Sequence, residues 1–152
     1  EGVPLTHVKP HGALYNDAAI NSALAGVIAE AVHTFDPHLI LVGLAGSELI
    51  RAGQHAGLRV AQEAFADRRY EADGTLRSRT LPGAVIDDPD QAAEQALNIV
   101  QHGYALTLGR QQVSINADTL CLHGDLPGSV ERASVVRRAL EVAGVVVHAL
   151  ER

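Results

Sequence analysis

The sequence has few of the residues that anchor cores or staple chains together. Among 152 residues it has one cysteine, two phenylalanines, no tryptophan and no methionine. The single cysteine, Cys121, excludes an internal disulfide framework and any cysteine-rich zinc cluster. With so few large anchors, the core has to come from Val, Leu, Ile and Ala, the usual filling between helices and a parallel sheet. Basic charge is also scarce: 12 Lys and Arg stand against 18 Asp and Glu, a formal net charge of -6. That balance argues against nucleic acid, which requires clustered cations to neutralise phosphates. No apolar run approaches the length of a membrane span, and the first residues do not resemble a signal peptide, so no membrane association is expected and cytoplasm is the default. Lys9 is the only lysine and follows Val8. A Gly-Lys-Ser/Thr phosphate loop is therefore excluded. Gly43-Leu44-Ala45-Gly46 is too short for a dinucleotide fingerprint.

What is present reads as strands alternating with helices. Leu5 to Lys9 is expected to be a strand running into His11-Gly12, followed by one helix from about Asp17 to Phe35, capped by Asn16 or Asp17. Its apolar face would be Ile20, Leu24, Val27, Ile28 and Ala31. Leu39 to Val42 is apolar throughout, as in a strand covered on both faces. Ser47 opens a short helix, and Leu58 to Ala64 forms a third strand. Ala66 to Arg79 has turn chemistry and dense charge. Asp88-Pro89 starts another helix, Ala105 to Ser114 is a hairpin around Gly109-Arg110, and Thr119 to Leu122 is a strand. Val130 to Ala143 is a helix stopped by Gly144, and Val145 to Val147 a final strand. The pattern predicts a single α/β domain over 1–152 with a mainly parallel sheet.

Chemistry concentrates at strand ends, where parallel α/β folds bind ligands. Alternation places His7, Lys9 and His11 on one strand face, Cys121, His123 and Asp125 on another, and Glu63 beside Ala61 and Phe65 on a third. Lys9 either binds an anion or forms a buried ion pair with Glu63 or Asp125. His11 and His123, each followed by glycine, are candidate general bases, hydrogen-bond donors or metal ligands; the alternative is a histidine that fixes a turn. Asp125 either orients His123 and moves protons or caps the helix after Pro127. Arg68, Arg69 and Arg79 either clamp an anionic substrate or form a solvated face.

Three blocks resemble one family. Val8-Lys9-Pro10-His11-Gly12-Ala13-Leu14-Tyr15-Asn16 is similar to the hallmark of the LamB/YcsF family, known as the A component of bacterial 5-oxoprolinase. Glu63-Ala64-Phe65-Ala66-Asp67-Arg68-Arg69-Tyr70, with Gly74-Thr75-Leu76 and Arg79 behind it, resembles the second block. Asp118 through Asp125 resembles the third, and the order and approximate spacing match. The resemblance implies a seven-stranded β/α barrel of the glycoside hydrolase and deacetylase type, of which this chain would be the C-terminal portion without the N-terminal strands. It implies ATP-dependent opening of the 5-oxoproline lactam to glutamate, with ATP and Mg as cofactors and the B and C subunits as partners. The catalytic set would then be Lys9, His11, His123 and Asp125, and the substrate-binding set Asn16, Glu63, Arg68, Arg69 and Arg79. The family's Asn-Cys-Asp-Leu-Gly-Glu-like and His-Ala-Gly-Asp-like motifs are not in this sequence, so the expectation is either a fragment or a naturally truncated member, inactive alone. A metal-dependent amidohydrolase or deacetylase, a non-catalytic binding component and a homo-oligomer are left open at this point.

Overall fold

The computed structural model describes residues 4–150. They group into two compact units, one comprising 4–63 with 149–150 and the other 64–148. The first unit begins with β1 (His7–Val8), followed by helices α1 (Ala13–Ile20) and α2 (Ser22–Phe35), β2 (Ile40–Leu44) and α3 (Glu48–His55). It then enters β3 (Arg59–Phe65), whose last two residues belong to the second unit. β1 and β3 flank β2, both in parallel, with Ile40 opposite Arg59 and Leu44 opposite Glu63. All five residues of β2 are buried, as the unbroken apolar run requires.

The expected single helix is two helices, bent by 113° at the break. Asn21 is extended, and its side chain accepts from the Leu24 N–H, so it caps α2 in place of Asn16 or Asp17. Ala25, Ala29 and Val32 face the core with Leu39, Leu41, Leu49 and Leu58; Leu24 and Ile28 of the expected face pack against it, while Ile20, Val27 and Ala31 are exposed. Alanine on this face permits close approach, and Gly53 of α3 does the same. A Cβ there would lie 2.7 Å from Val60 Cγ1 and 3.0 Å from Leu41 Cδ2.

The second unit holds α4 (Pro89–His102), an antiparallel hairpin of β4 (Tyr104–Leu106) and β5 (Gln112–Ser114), β6 (Thr119–Cys121) and α5 (Ser129–Val142). β6 lies beside the end of β3, and the Ala66 N–H donates to the Cys121 carbonyl. Asp88 caps α4 and Pro89 opens it, as expected. The buried stripe of α4 is Ala92, Ala93, Gln95, Ala96 and Ile99; Val100 is exposed. With Ile86, Val136 and Leu140, the alanines of this stripe form the unit's core. The segment expected as a polar loop is held in place by backbone bonds, from Arg69 N–H to Ala84 O and from Ile86 N–H to Asp67 O. Residues 145–148 are not a strand. The α/β class with a parallel sheet is as expected.

Candidate functional site

Two polar constellations are built on the stretch that carries β3 out of the sheet. The first lies within the first unit. Lys9 follows β1, and its Nζ donates to Glu63 Oε1 at 2.6 Å. Tyr15, on α1, donates its hydroxyl to Glu63 Oε2 at 2.9 Å, and Lys9 Nζ lies 5.8 Å from the Tyr15 ring centroid. Glu63 is nearly fully buried, so it satisfies both oxygens with protein donors, as a buried carboxylate must. Lys9 keeps a fifth of its side chain exposed. The ion-pair reading of Lys9 is thus the geometry observed, with Glu63 as the partner.

Gly12 makes the turn from β1 into α1 possible. Its φ of 63° and ψ of −133° lie where a side chain is strongly disfavoured. His11, just before it, is exposed, and no described residue bonds its ring. Asn16 is also exposed, and its side-chain amide donates to Gly12 O.

The second constellation lies within the second unit. Asp67, two residues beyond β3, is completely buried. One of its oxygens accepts the His123 backbone N–H at 2.7 Å, and both lie within 3.0–3.1 Å of His123 Nδ1. The His123 ring stacks on Phe65 with centroids 5.4 Å apart. Burial pushes the Asp67 carboxyl up, but the hydrogen bonds and positive charge of His123 outweigh it. The carboxyl therefore sits below its ordinary value and is ionised at neutral pH. An ionised carboxylate at Nδ1 selects the tautomer that carries its proton there. Nε2 then holds a lone pair, on a ring fixed by a carboxylate and an aromatic face. This arrangement can take and return a proton.

The remaining candidates are dispersed within the second unit. Asp125 is exposed and pairs with Arg79 at 3.7 Å; it does not contact His123. Nor does it cap α5, whose N-cap is Gly128 with no side-chain bond. Arg68 is buried, donating to the carbonyls of Ala84 and Arg77. Burial, then repulsion from Arg79, lowers its pKa, and Asp67 and Tyr70 oppose the shift. Arg69 donates to the Gln91 side chain. Among the described residues no group of three or more His, Cys, Asp and Glu is placed to hold a metal.

Two participants are not evident from the sequence. Asp67 sits in a run of charges that resembles a turn, although the apolar Ala64-Phe65-Ala66 before it signals a chain still inside the core. Tyr15 lies ahead of the point where the sequence places the start of the helix. Both fall within the blocks that carry the family resemblance.

Comparison with known proteins agrees with those blocks. The model of the LamB/YcsF family matches residues 1–152. The A component of 5-oxoprolinase from Coprothermobacter proteolyticus is 53% identical over 147 residues, covering 97% of this chain and 56% of that protein. Its counterpart from Geobacillus kaustophilus is 51% identical over 152 residues, covering all of this chain and 59% of that protein. The crystal structure of a lactam utilization protein from Thermus thermophilus is 48% identical, with a TM-score of 0.89 over 98% of this chain and 59% of that one. The chain spans less than two thirds of the length of these relatives. It belongs to the LamB/YcsF family.

Proposed function

We propose that this chain is part of the A component of an ATP-dependent 5-oxoprolinase, which hydrolyses the lactam of 5-oxo-L-proline to L-glutamate together with the B and C subunits in the cytoplasm. The observation that carries the reading is the Asp67–His123 pair, alongside relatives named as the A component of a 5-oxoprolinase. Lactam opening breaks the ring C–N bond, adds the hydroxyl of water to the carbonyl carbon and leaves protons on nitrogen. His123 Nε2 takes the proton of the attacking water and returns it to the departing nitrogen. Asp67 holds the ring in the productive tautomer and stabilises the imidazolium that forms. Within the first unit, Glu63 and Tyr15 hold Lys9 in place, with part of its side chain open to solvent.

A lactam is a stable amide, and phosphoryl transfer from ATP is the activation that the family resemblance implies. The described residues do not fit a nucleotide site. The only lysine is engaged by Glu63, Arg68 is occupied by carbonyls, and no phosphate loop exists in the sequence. We therefore assign ATP and its Mg to a partner protein or to the rest of this one, and derive no step of this chain through them. In the same reading the parallel sheet is the C-terminal portion of a seven-stranded β/α barrel completed by sequence that the longer relatives carry.

The test is glutamate formation from 5-oxoproline by the full-length protein mixed with the B and C subunits and ATP. Turnover that disappears in His123→Ala, with folding retained by circular dichroism, supports the reading. No glutamate from correctly folded components contradicts it, and undiminished turnover in His123→Ala makes this protein a non-catalytic member of the complex.

A further inference from the structure

His123 is held from two directions by one short stretch of the second unit. Phe65 stacks its ring on the imidazole, and Asp67 lies against Nδ1 and accepts the His123 backbone N–H. After Phe65 the chain leaves β3, so the buried carbonyls of this stretch need donors from elsewhere.

One side chain supplies most of them. Gln95 is 4% exposed, in a stripe of α4 that is otherwise Ala92, Ala93, Ala96 and Ile99. Its Nε2 donates to the carbonyls of Phe65 at 2.8 Å, Ala66 at 3.2 Å and Arg68 at 2.8 Å. Three acceptors around one atom identify that end of the amide as nitrogen. The Asp67 carbonyl, between them, accepts the Ile86 N–H, and the Phe65 N–H donates to the Tyr70 hydroxyl. Gln95 Oε1 is buried and has no donor among the described residues. The amide thus leaves one acceptor of its own unmatched and fixes three backbone carbonyls at once. What those bonds define is the path of the chain on either side of Asp67.

We propose that Gln95 is a positioning residue for the reaction assigned above: its amide sets the path of residues 65–68 and, through Phe65 and Asp67, holds the His123 imidazole in place. Gln95 touches neither His123 nor the reacting atoms, and it acts only through the two residues that do hold the ring. Its effect on rate rests on the hydrolytic reading, whereas its effect on the ring itself does not. A misplacement of about 1 Å at a reacting group costs up to about 10²-fold in rate, so a loosened Asp67 is enough to be measured.

The test is Gln95→Met, which keeps the unbranched shape of the side chain and removes the donor. In the reconstituted enzyme kcat is expected to fall about tenfold or more, with KM little changed. Nitrogen NMR of the full-length protein labelled at histidine reads the ring directly, the His123 signal being the one absent in His123→Ala. It should show the Nδ1-protonated tautomer in the unaltered protein and a mixture of tautomers in Gln95→Met. Gln95→Asn, whose amide is one methylene shorter, should fall between the two, and it carries the test if Gln95→Met does not fold. Ile99→Val removes one methylene from the same buried stripe one turn away and should leave kcat and tautomer unchanged. An equal loss in Ile99→Val would reduce the role of Gln95 to general stability and overturn its positioning role. In an active enzyme, either readout unchanged in Gln95→Met overturns that role and leaves lactam hydrolysis intact. A tautomer shifted by Gln95→Met in a protein that yields no glutamate refutes the hydrolysis and upholds the positioning.

Discussion

Glu63 and Asp67 are four residues apart, both buried, and each serves one basic partner that is about one fifth exposed. Yet the two carboxylates do different work. Glu63 faces a lysine and a phenol, which together hold its carboxylate in position. Asp67 faces an imidazole and also accepts that residue's own backbone N–H, so ring and main chain are fixed together. Lysine stays protonated through neutral pH, whereas histidine changes charge there. Similar burial and similar distances therefore suit an electrostatic anchor in one place and, in the function proposed above, a proton-transfer pair in the other. What differs is the partner.

This contrast can be broken most sharply at His123. His123→Ala should lower turnover of the reconstituted enzyme by about 10²–10⁴, the range for losing a positioned general base, with the melting temperature little changed. A variant that loses stability and keeps its rate would make the pair structural. At the other constellation the expected effect is on stability. Glu63→Ala breaks the ion pair with Lys9 and should cost about 2–3 kcal/mol in urea denaturation, below the cost of a fully buried pair because Lys9 is partly solvated. An unchanged midpoint would show that the ion pair makes no net contribution to stability.

Acid should separate the two carboxylates as well. The Asp67 carboxyl is lowered below its ordinary value of 3.8 in the folded protein. Its contribution to stability is thus complete above that value and is lost as pH falls from it through the folded pKa. Thermal melts across the acid range should show a slope that Asp67→Asn removes; an identical slope in the variant would assign acid sensitivity elsewhere. The smallest effect is expected for Tyr15→Phe. It deletes one hydrogen bond to Glu63 while keeping the ring and should cost about 1–2 kcal/mol. A larger loss would mean that the phenol, and not Lys9, is the main support of Glu63.

The parts of this protein legible in sequence are those where one residue type decides the outcome. The unbroken run at Leu39–Val42, Pro89 after Asp88, and the hairpin at Gly109-Arg110 are local signals, and the elements follow them. The long helix expected over Asp17–Phe35 does not form because Asn21 competes with the apolar period around it. A side chain that can cap wins over continued helix, and the buried face of α2 centres on Ala25, Ala29 and Val32 with Leu24 and Ile28 at its edge. Lys9 with Glu63 is within reach of strand alternation. The partner of His123 is not, because Asp125, two residues away in sequence, is the nearer carboxylate along the chain, while the tertiary fold brings Asp67 from 56 residues away. Side chains in charged turns carry no period, so sequence cannot say which of them the fold will bury.

The most direct test of the central claim is the turnover number of Asp67→Asn in the reconstituted enzyme, with folding verified by circular dichroism. An amide at this position can no longer enforce the Nδ1-protonated tautomer or stabilise an imidazolium. The account predicts a fall in kcat of about 10² or more with little change in KM. A kcat equal to that of the unaltered protein would contradict the assignment of proton transfer to the Asp67–His123 pair.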